Sequence, residues 1–327
     1  VKKLTKQIAV LAGIALMFAG FDAAFYFTVT RRFLNSTSPE MQAKSIEVSH
    51  YLPFDPDSEI VKADAPKLSG DIPVIDGAAA LLPVYSAFVH AVYPEDSVHF
   101  DGENYTPESA MQYTNTRGAY QSLADGTADI VLCAKPSAEQ KAYAEEKGCE
   151  LIYVPVAREA FVFIVNQDNP VDDLTAEQIR GIYSGEIKYW SEVGGAHIPI
   201  DAVQRNPGSG SQTAMLSFMG DTPMKRDPFS FFGSSIGYSF RYYVEGIVEN
   251  GGVKMLSVNG VYPDPAHIAD GSYPVTGDVL AVYDAHNENP NIPVLLDFMQ
   301  SETGQRIIAE SGYAPLTDDC ANTDSVR

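Results

Sequence analysis

Basic residues are scarce in this chain. Its 327 residues hold 22 Lys and Arg against 43 Asp and Glu, a formal net charge of −21. That balance argues against DNA, RNA and anionic membrane surfaces as partners, because each needs a basic field. It leaves room for an anion in an enclosed site, where local dipoles and one or two cations govern binding. Cysteine is also scarce. Cys133, Cys149 and Cys320 form no C-x-x-C and no metal-ligand spacing. Their odd count leaves at least one thiol unpaired, so no disulfide framework is indicated. Cys133 and Cys149 read either as a pair or as buried free thiols. The histidines show no H-E-x-x-H and no clustering, and no G-x-S-x-G is present, so neither a zinc site nor a nucleophile elbow is expected. No cofactor is expected either.

What is present describes a folded protein. Hydrophobic residues make up 45%, with 18 Tyr and 16 Phe, which argues against disorder. The length suits two lobes, or one large domain with an extension. At the N-terminus, Lys2, Lys3 and Lys6 precede an apolar run from Ile8 to Val29, broken mainly by Asp22 and followed by Arg31 and Arg32. This run reads either as a membrane anchor or as a cleaved signal peptide. Asp22 weakens the anchor reading, since a carboxylate in the bilayer costs roughly 2.5–3.5 kcal/mol. Both readings export the rest of the chain, and the absence of cysteine here excludes a lipoprotein anchor. Residues 34–70 are polar and rich in Pro and Asp, a stalk or an extension lying along the first lobe. Asp55, Asp57 and Glu59 start like a calcium loop but lack its glycine and distal Glu, and read as a solvated turn.

From Ile72 onward strands alternate with helices. Pro73–Ile75 is a short strand. Pro83 sits in the first turn of a helix running to Val92. A helix is expected at 118–126, a buried strand at Ala128–Cys133, and a helix from cap Ser137 to stop Gly148. Leu151–Val156 and Phe161–Asn166 read as two strands. Thr175 and Gln178 form a capping box. Val275–Tyr283 is a late strand, and Pro293–Ser311 a final helix. The alternation predicts an α/β fold with mostly parallel sheets, whose ligands sit at strand carboxyl ends.

One such end is R-N-P-G-S-G-S, Arg205–Ser211, between a strand at Ile198–Val203 and a helix at Gln212–Met219. A Gly/Ser turn entering a helix aims unpartnered N–H groups outward at the positive end of the helix dipole, a ready anion site. Arg205 adds a planar fork suited to two oxygens of phosphate or carboxylate. The competing reading is a turn in which Ser209 or Ser211 merely caps the helix and Arg205 is solvated.

Several stretches in order resemble the phosphate-binding proteins of phosphate ABC transporters. R-N-P-G-S-G-S-Q-T resembles that family's R-x-x-G-S-G-T. D-G-A-A-A-L-L-P-V-Y is similar to its first ligand loop, and T-R-G-A-Y-Q-S-L-A-D-G-T-A-D-I to its second. N-P-V-D-D-L-T-A-E-Q-I-R-G-I-Y-S-G-E-I-K-Y-W, I-G-Y-S-F and Y-P-V-T-G-D-V-L-A-V-Y follow in the family's order. The resemblance covers roughly residues 70–317. It implies a two-lobed, periplasmic-binding-protein-like fold of type II, closing on its ligand. The expected division is 1–33 signal or anchor, 34–70 extension, 71–165 with 274–327 as lobe 1, and 166–273 as lobe 2.

The resemblance also implies ligand roles. Arg205 would pair with phosphate oxygens, Ser209 would donate its hydroxyl, and Gly210 and Ser211 their backbone N–H groups. Thr116 falls where the second loop offers a hydroxyl. In the first loop Ala78, Ala79 and Ala80 replace the usual Ser or Thr, so Ala79 and Ala80 would contribute N–H groups alone. The family's Asp after the fourth strand aligns with Ala134 or Lys135, which removes the obvious basis for preferring protonated phosphate to sulfate. Lys135 either adds positive charge or is solvated. Arg117 and Arg158 flank strand ends and read either as reaching the cleft or, the favoured reading, as surface residues, and Tyr238 reads either as cleft lining or as core. The implied function is capture of inorganic phosphate, or a related oxyanion, for ABC permease subunits by a monomeric, extracytoplasmic, membrane-tethered or secreted protein that is not an enzyme. The other reading is a surface-anchored sensor or interaction protein that keeps the fold and has lost tight phosphate binding.

Overall fold

The computed structural model describes residues 46–225, 234–248 and 252–316. The anchor or signal segment, the start of the extension and Cys320 lie outside them. Among the described residues no helix is long and apolar enough to cross a membrane.

The chain builds two hydrophobic cores joined by one sheet. The first takes in Ile75, Leu82, Phe88, Val131, Leu280, Leu295 and Ile307, and the second Phe163, Ile182, Trp190, Met215, Tyr238 and Val258. Residues 46–70 lie along the first core as an extension. Ile60 and Leu68 are buried in it, and the Leu68 amide donates to the Val92 carbonyl at 2.7 Å. Asp55 closes a turn by accepting from the Asp57 amide at 2.8 Å, and Glu59 faces His50.

The sheet runs β1 (Ile75–Gly77), β2 (Ile130–Cys133), β9 (Thr276–Asp284), β3 (Leu151–Asn166), β6 (Ser234–Phe240) and β5 (Ile200–Ala202). Pairs β1–β2 and β5–β6 are parallel, while β2–β9, β9–β3 and β3–β6 are antiparallel. The expectation of mostly parallel sheets is thus corrected at the centre. The chain leaves the first core along β3 and returns along β9, and two such strands side by side must run in opposite directions. The two strands expected at Leu151–Val156 and Phe161–Asn166 are also one. Pro155 and the charged pair Arg158–Glu159 look like a break, but the strand absorbs them with a register shift between Pro155 and Ala157. Its first ten residues pair with β9, and its last six with β6 and with β7 (Val253–Met255), while β4 (Asp173–Leu174) and β8 (Ser257–Val258) form a separate two-stranded sheet.

Helices cover the sheet at α1 (Leu82–Val92), α2 (Asn115–Ala124), α3 (Ala138–Lys147), α4 (Ala176–Ser184), α5 (Gly210–Met219) and α6 (Arg241–Val248). The capping boxes at Ser137/Gln140 and Thr175/Gln178 are both formed, and Gly148 ends α3 in the left-handed conformation. The expected final helix is two, α8 (Asn291–Gln300) and α9 (Glu302–Glu310), with α7 (Pro265–Ala269) before them. Ser301 makes the break by accepting from the Gly304 amide at 3.2 Å as cap of α9. A Cβ on Gly304 would lie 2.2 Å from the Phe298 carbonyl oxygen and 2.5 Å from that of Met299. Gly304→Ala is therefore expected to cost about 3 kcal/mol by overpacking, read as a lower denaturant midpoint at unchanged slope. An unchanged midpoint would show that this corner yields freely.

Candidate functional site

A cavity of about 350 Å³ opens between the two cores. Three helix beginnings reach it: Ala78–Leu81 leading into α1, Asn115–Arg117 opening α2, and Ser209–Ser211 opening α5. Each presents amides without intrahelical partners and a fraction of positive dipole charge. Arg205 and Arg117 line the same cavity and bring cationic groups to it, alongside the acidic Glu159 and Asp278.

The first two of these loops are held by one side chain. Asp76, the middle residue of β1, is fully buried. Its Oδ1 accepts from the Gly77 amide at 2.7 Å and the Thr114 amide at 2.9 Å, and its Oδ2 accepts from the Thr114 hydroxyl. Burial pushes the Asp76 carboxyl up, and the Thr114 and Gly77 hydrogen bonds oppose that shift. Asn115 then takes a left-handed φ of 64°, a conformation asparagine tolerates, and α2 begins facing the cavity. From the other side the Tyr313 hydroxyl donates to the Ala80 carbonyl.

The third loop is held by the second core. The Arg205 amide donates to Gln212 Oε1 at 2.9 Å and to the Tyr238 hydroxyl at 3.1 Å, and that hydroxyl donates to Gln212 Oε1. Tyr238 is fully buried. It is a core residue whose polar tip fixes the start of the motif. Ser209 Oγ accepts from the Gln212 amide at 3.2 Å as helix cap and donates to the Asn206 carbonyl at 2.9 Å. The capped turn is therefore also part of the cavity wall. Ser211 is buried beside it.

The two sides touch. A Cβ on Gly210 would stand 3.3 Å from Thr116 Oγ1 and 3.5 Å from the Phe240 ring, and Gln140 Nε2 lies 3.4 Å from the carbonyls of both Thr116 and Gly208. All seven residues singled out from the sequence, Ala79, Ala80, Thr116, Arg205, Ser209, Gly210 and Ser211, line this one cavity. Ala134 lines it too, while Lys135 is exposed outside it. Arg117 is exposed, 3.8 Å from Glu139, and also reaches the cavity wall, so both readings of it apply. Arg158 is half-buried and not among the lining residues. Trp190 is buried in the second core with its indole N–H on the Ser234 carbonyl, away from the cavity. Cys133 and Cys149 are buried free thiols.

Sequence reasoning did not find Asp76, Glu159, Asp278 or Tyr243, the last three of which line the cavity. Acidic residues are too abundant to pick out singly. The available signal was position: Asp76 is the one charged residue of a strand just before the alanine loop, and Glu159 sits beside Arg158 inside an otherwise apolar strand. Burial pushes the Tyr243 and Tyr238 phenols up to about 12, with Arg205 opposing in both cases.

Two cores, strands crossing between them and a donor-lined cleft define a two-lobed solute-binding fold, and the chain belongs to the PBP superfamily, whose domain matches residues 73–302. Among its relatives, the phosphate-binding protein PstS of Bacillus subtilis is 26% identical over 270 residues, 77% of this chain and 83% of that protein. The phosphate-binding protein PstS of Borreliella burgdorferi is 27% identical over 177 residues, 48% of this chain and 63% of its own length. A solved Clostridium perfringens protein, described as a phosphate ABC transporter substrate-binding protein with bound phosphate, aligns at a TM-score of 0.56 with 25% identity, over 74% of this chain and 98% of its own. An ABC-type phosphate transport receptor from Vibrio cholerae shares the fold at a TM-score of 0.53 and 21% identity, over 73% and 98% of the two chains.

Proposed function

We propose that this chain is an exported solute-binding protein that captures inorganic phosphate between its lobes and presents it, as a monomer, to the permease subunits of an ABC importer. The observation that carries this reading is the convergence of three helix beginnings and Arg205 on one cavity. Gly210 and Ser211 supply amides, Thr116 a hydroxyl and Arg205 charge-assisted hydrogen bonds, in a site shielded from water where each contact is stronger than in solution. Ala79 and Ala80 supply amides only. Ser209 contributes its hydroxyl by turning from the Asn206 carbonyl to the anion. The phosphate-binding names of the relatives and the bound phosphate of the Clostridium perfringens protein support the same ligand. The lobes divide at residues 158–159 of β3 and 276–278 of β9, where the cores change over, rather than at 165/166 and 273/274. Residues 1–33 carry the export signal or anchor, and the folded part lies outside the cytoplasm.

The experiment is a thermal melt of the full chain with inorganic phosphate. At about 100 times Kd, mass action adds about 2.7 kcal/mol, a rise of several degrees. A rise with another oxyanion and none with phosphate would keep the class and change the ligand. No rise with any small anion would favour the surface sensor or interaction protein.

A further inference from the structure

The cavity is lined by two acidic groups that the phosphate reading leaves unused, Glu159 and Asp278. Glu159 lies on β3 at the seam between the two cores, lines the cavity and is only 5% exposed. Its Oε1 accepts from the Ala160 amide at 3.0 Å, while its Oε2 is buried with no hydrogen-bond partner. A buried, unsatisfied carboxyl oxygen is costly unless a bound group completes it. Two donors lie near the carboxyl, the Tyr242 amide and Arg241, and Arg241 Nε is likewise buried with no hydrogen-bond partner. Arg241 on α6 is engaged by the Gly312 carbonyl at 3.3 Å and by Glu245. The acidic Asp278 lines the same cavity from β9, and Glu245 adds a second negative charge nearby. Tyr242 faces the carboxyl from α6, and Tyr313 stands close to it. Ala134 offers the cavity no polar side-chain atom.

We propose that Glu159 is a ligand contact that sets anion selectivity, its Oε2 sharing one proton with the bound oxyanion. This rests on the phosphate reading above. The proton has two sources. When Glu159 is neutral, its O–H donates to an anion oxygen, and phosphate and sulfate serve equally. When Glu159 is ionised, the anion must bring the proton: the P–OH of hydrogen phosphate donates to Oε2, whereas sulfate has no proton and meets a bare carboxylate. Burial pushes Glu159 up from 4.5 to about 8, with Arg241 and the Ala160 and Tyr242 amides opposing and Glu245 adding to the rise. A raised pKa means that the neutral form is the one favoured by folding and is lost as pH climbs through about 8. Discrimination against sulfate therefore switches on with rising pH.

The test is competition of sulfate against phosphate on the full chain, across a pH range spanning about 8, for the wild type and Glu159→Gln. The wild-type preference for phosphate is expected to widen above about pH 8 by up to about tenfold per pH unit, the limit for one linked proton. In Glu159→Gln the preference is expected to be flat with pH, because glutamine keeps the shape and a donor but cannot ionise. A purely structural Glu159 would not move that slope. Thermal melts provide the folding control, with Glu159→Gln gaining stability relative to the wild type as pH rises from about 4.5 to about 8. A flat wild-type ratio, the same slope in Glu159→Gln, or failure of sulfate to compete at any pH would each overturn the proposal. These outcomes leave the phosphate reading standing; loss of phosphate binding by the wild type itself would sink that reading instead.

Discussion

Arg205→Ala is expected to weaken phosphate binding at least about a hundredfold. Arg205 lines the cavity together with the amide ends of three helices, and its planar fork matches two oxygens of a tetrahedral anion. Truncating one partner of a buried, charge-assisted pair costs about 2–5 kcal/mol, because the other charge remains unpaired; about 3 kcal/mol corresponds to a hundredfold in Kd. The fold itself should tolerate the change. Holding the motif in place is the work of the Arg205 backbone amide on Gln212 and Tyr238, which alanine keeps. Calorimetric titration with phosphate reads the loss, and a Tm without ligand close to that of the wild type separates it from unfolding. Retention of wild-type affinity would mean that the helix ends alone hold the anion.

The second large effect is expected at Asp76, a residue that does not need to touch the ligand. Its carboxylate accepts from the Gly77 amide, the Thr114 amide and the Thr114 hydroxyl, and so ties the first loop to the start of α2. Asp76→Ala leaves the buried Gly77 amide and the two donors of the exposed Thr114 without their acceptor. Each unsatisfied group costs about 1–3 kcal/mol, and we expect a total destabilisation of about 3–5 kcal/mol after relaxation. Phosphate affinity should fall with it, since Thr116 and the Ala79 and Ala80 amides lose their common support. Asp76→Asn keeps the shape and one acceptor oxygen and should fall between alanine and the wild type in both measurements. Denaturant unfolding and phosphate titration of the two variants check this. Equal stability of Asp76→Ala and the wild type would show that the loops are held elsewhere.

How much of this was legible in the sequence depended on whether a feature is local. The turn at Arg205–Ser211 that lines the cavity could be read because it lies within seven consecutive residues: an arginine, four Gly and Ser residues and a helix start. The boxes at Ser137/Gln140 and Thr175/Gln178 are equally local, and both form. What could not be read depends on residues distant in the chain. The continuity of β3 through Pro155, Arg158 and Glu159 requires β9, more than 100 residues later, to supply its partners. The antiparallel centre of the sheet follows from the same crossing. Glu159 looks like a surface residue interrupting a strand until the two cores close around it, and Asp76 looks like a turn residue until Thr114 arrives from 38 positions away. The break at Ser301 was in principle visible as a serine cap with Gly304 three residues on, but the apolar pattern runs through it without a gap.

The most direct test is a crystal structure of the full chain with phosphate. A single tetrahedral anion is predicted within hydrogen-bond distance of the Thr116 hydroxyl, the Gly210 and Ser211 amides and the Arg205 guanidinium, with one oxygen facing Glu159 Oε2. A phosphate bound away from these groups, or none at a concentration that saturates other phosphate-binding proteins, would contradict it.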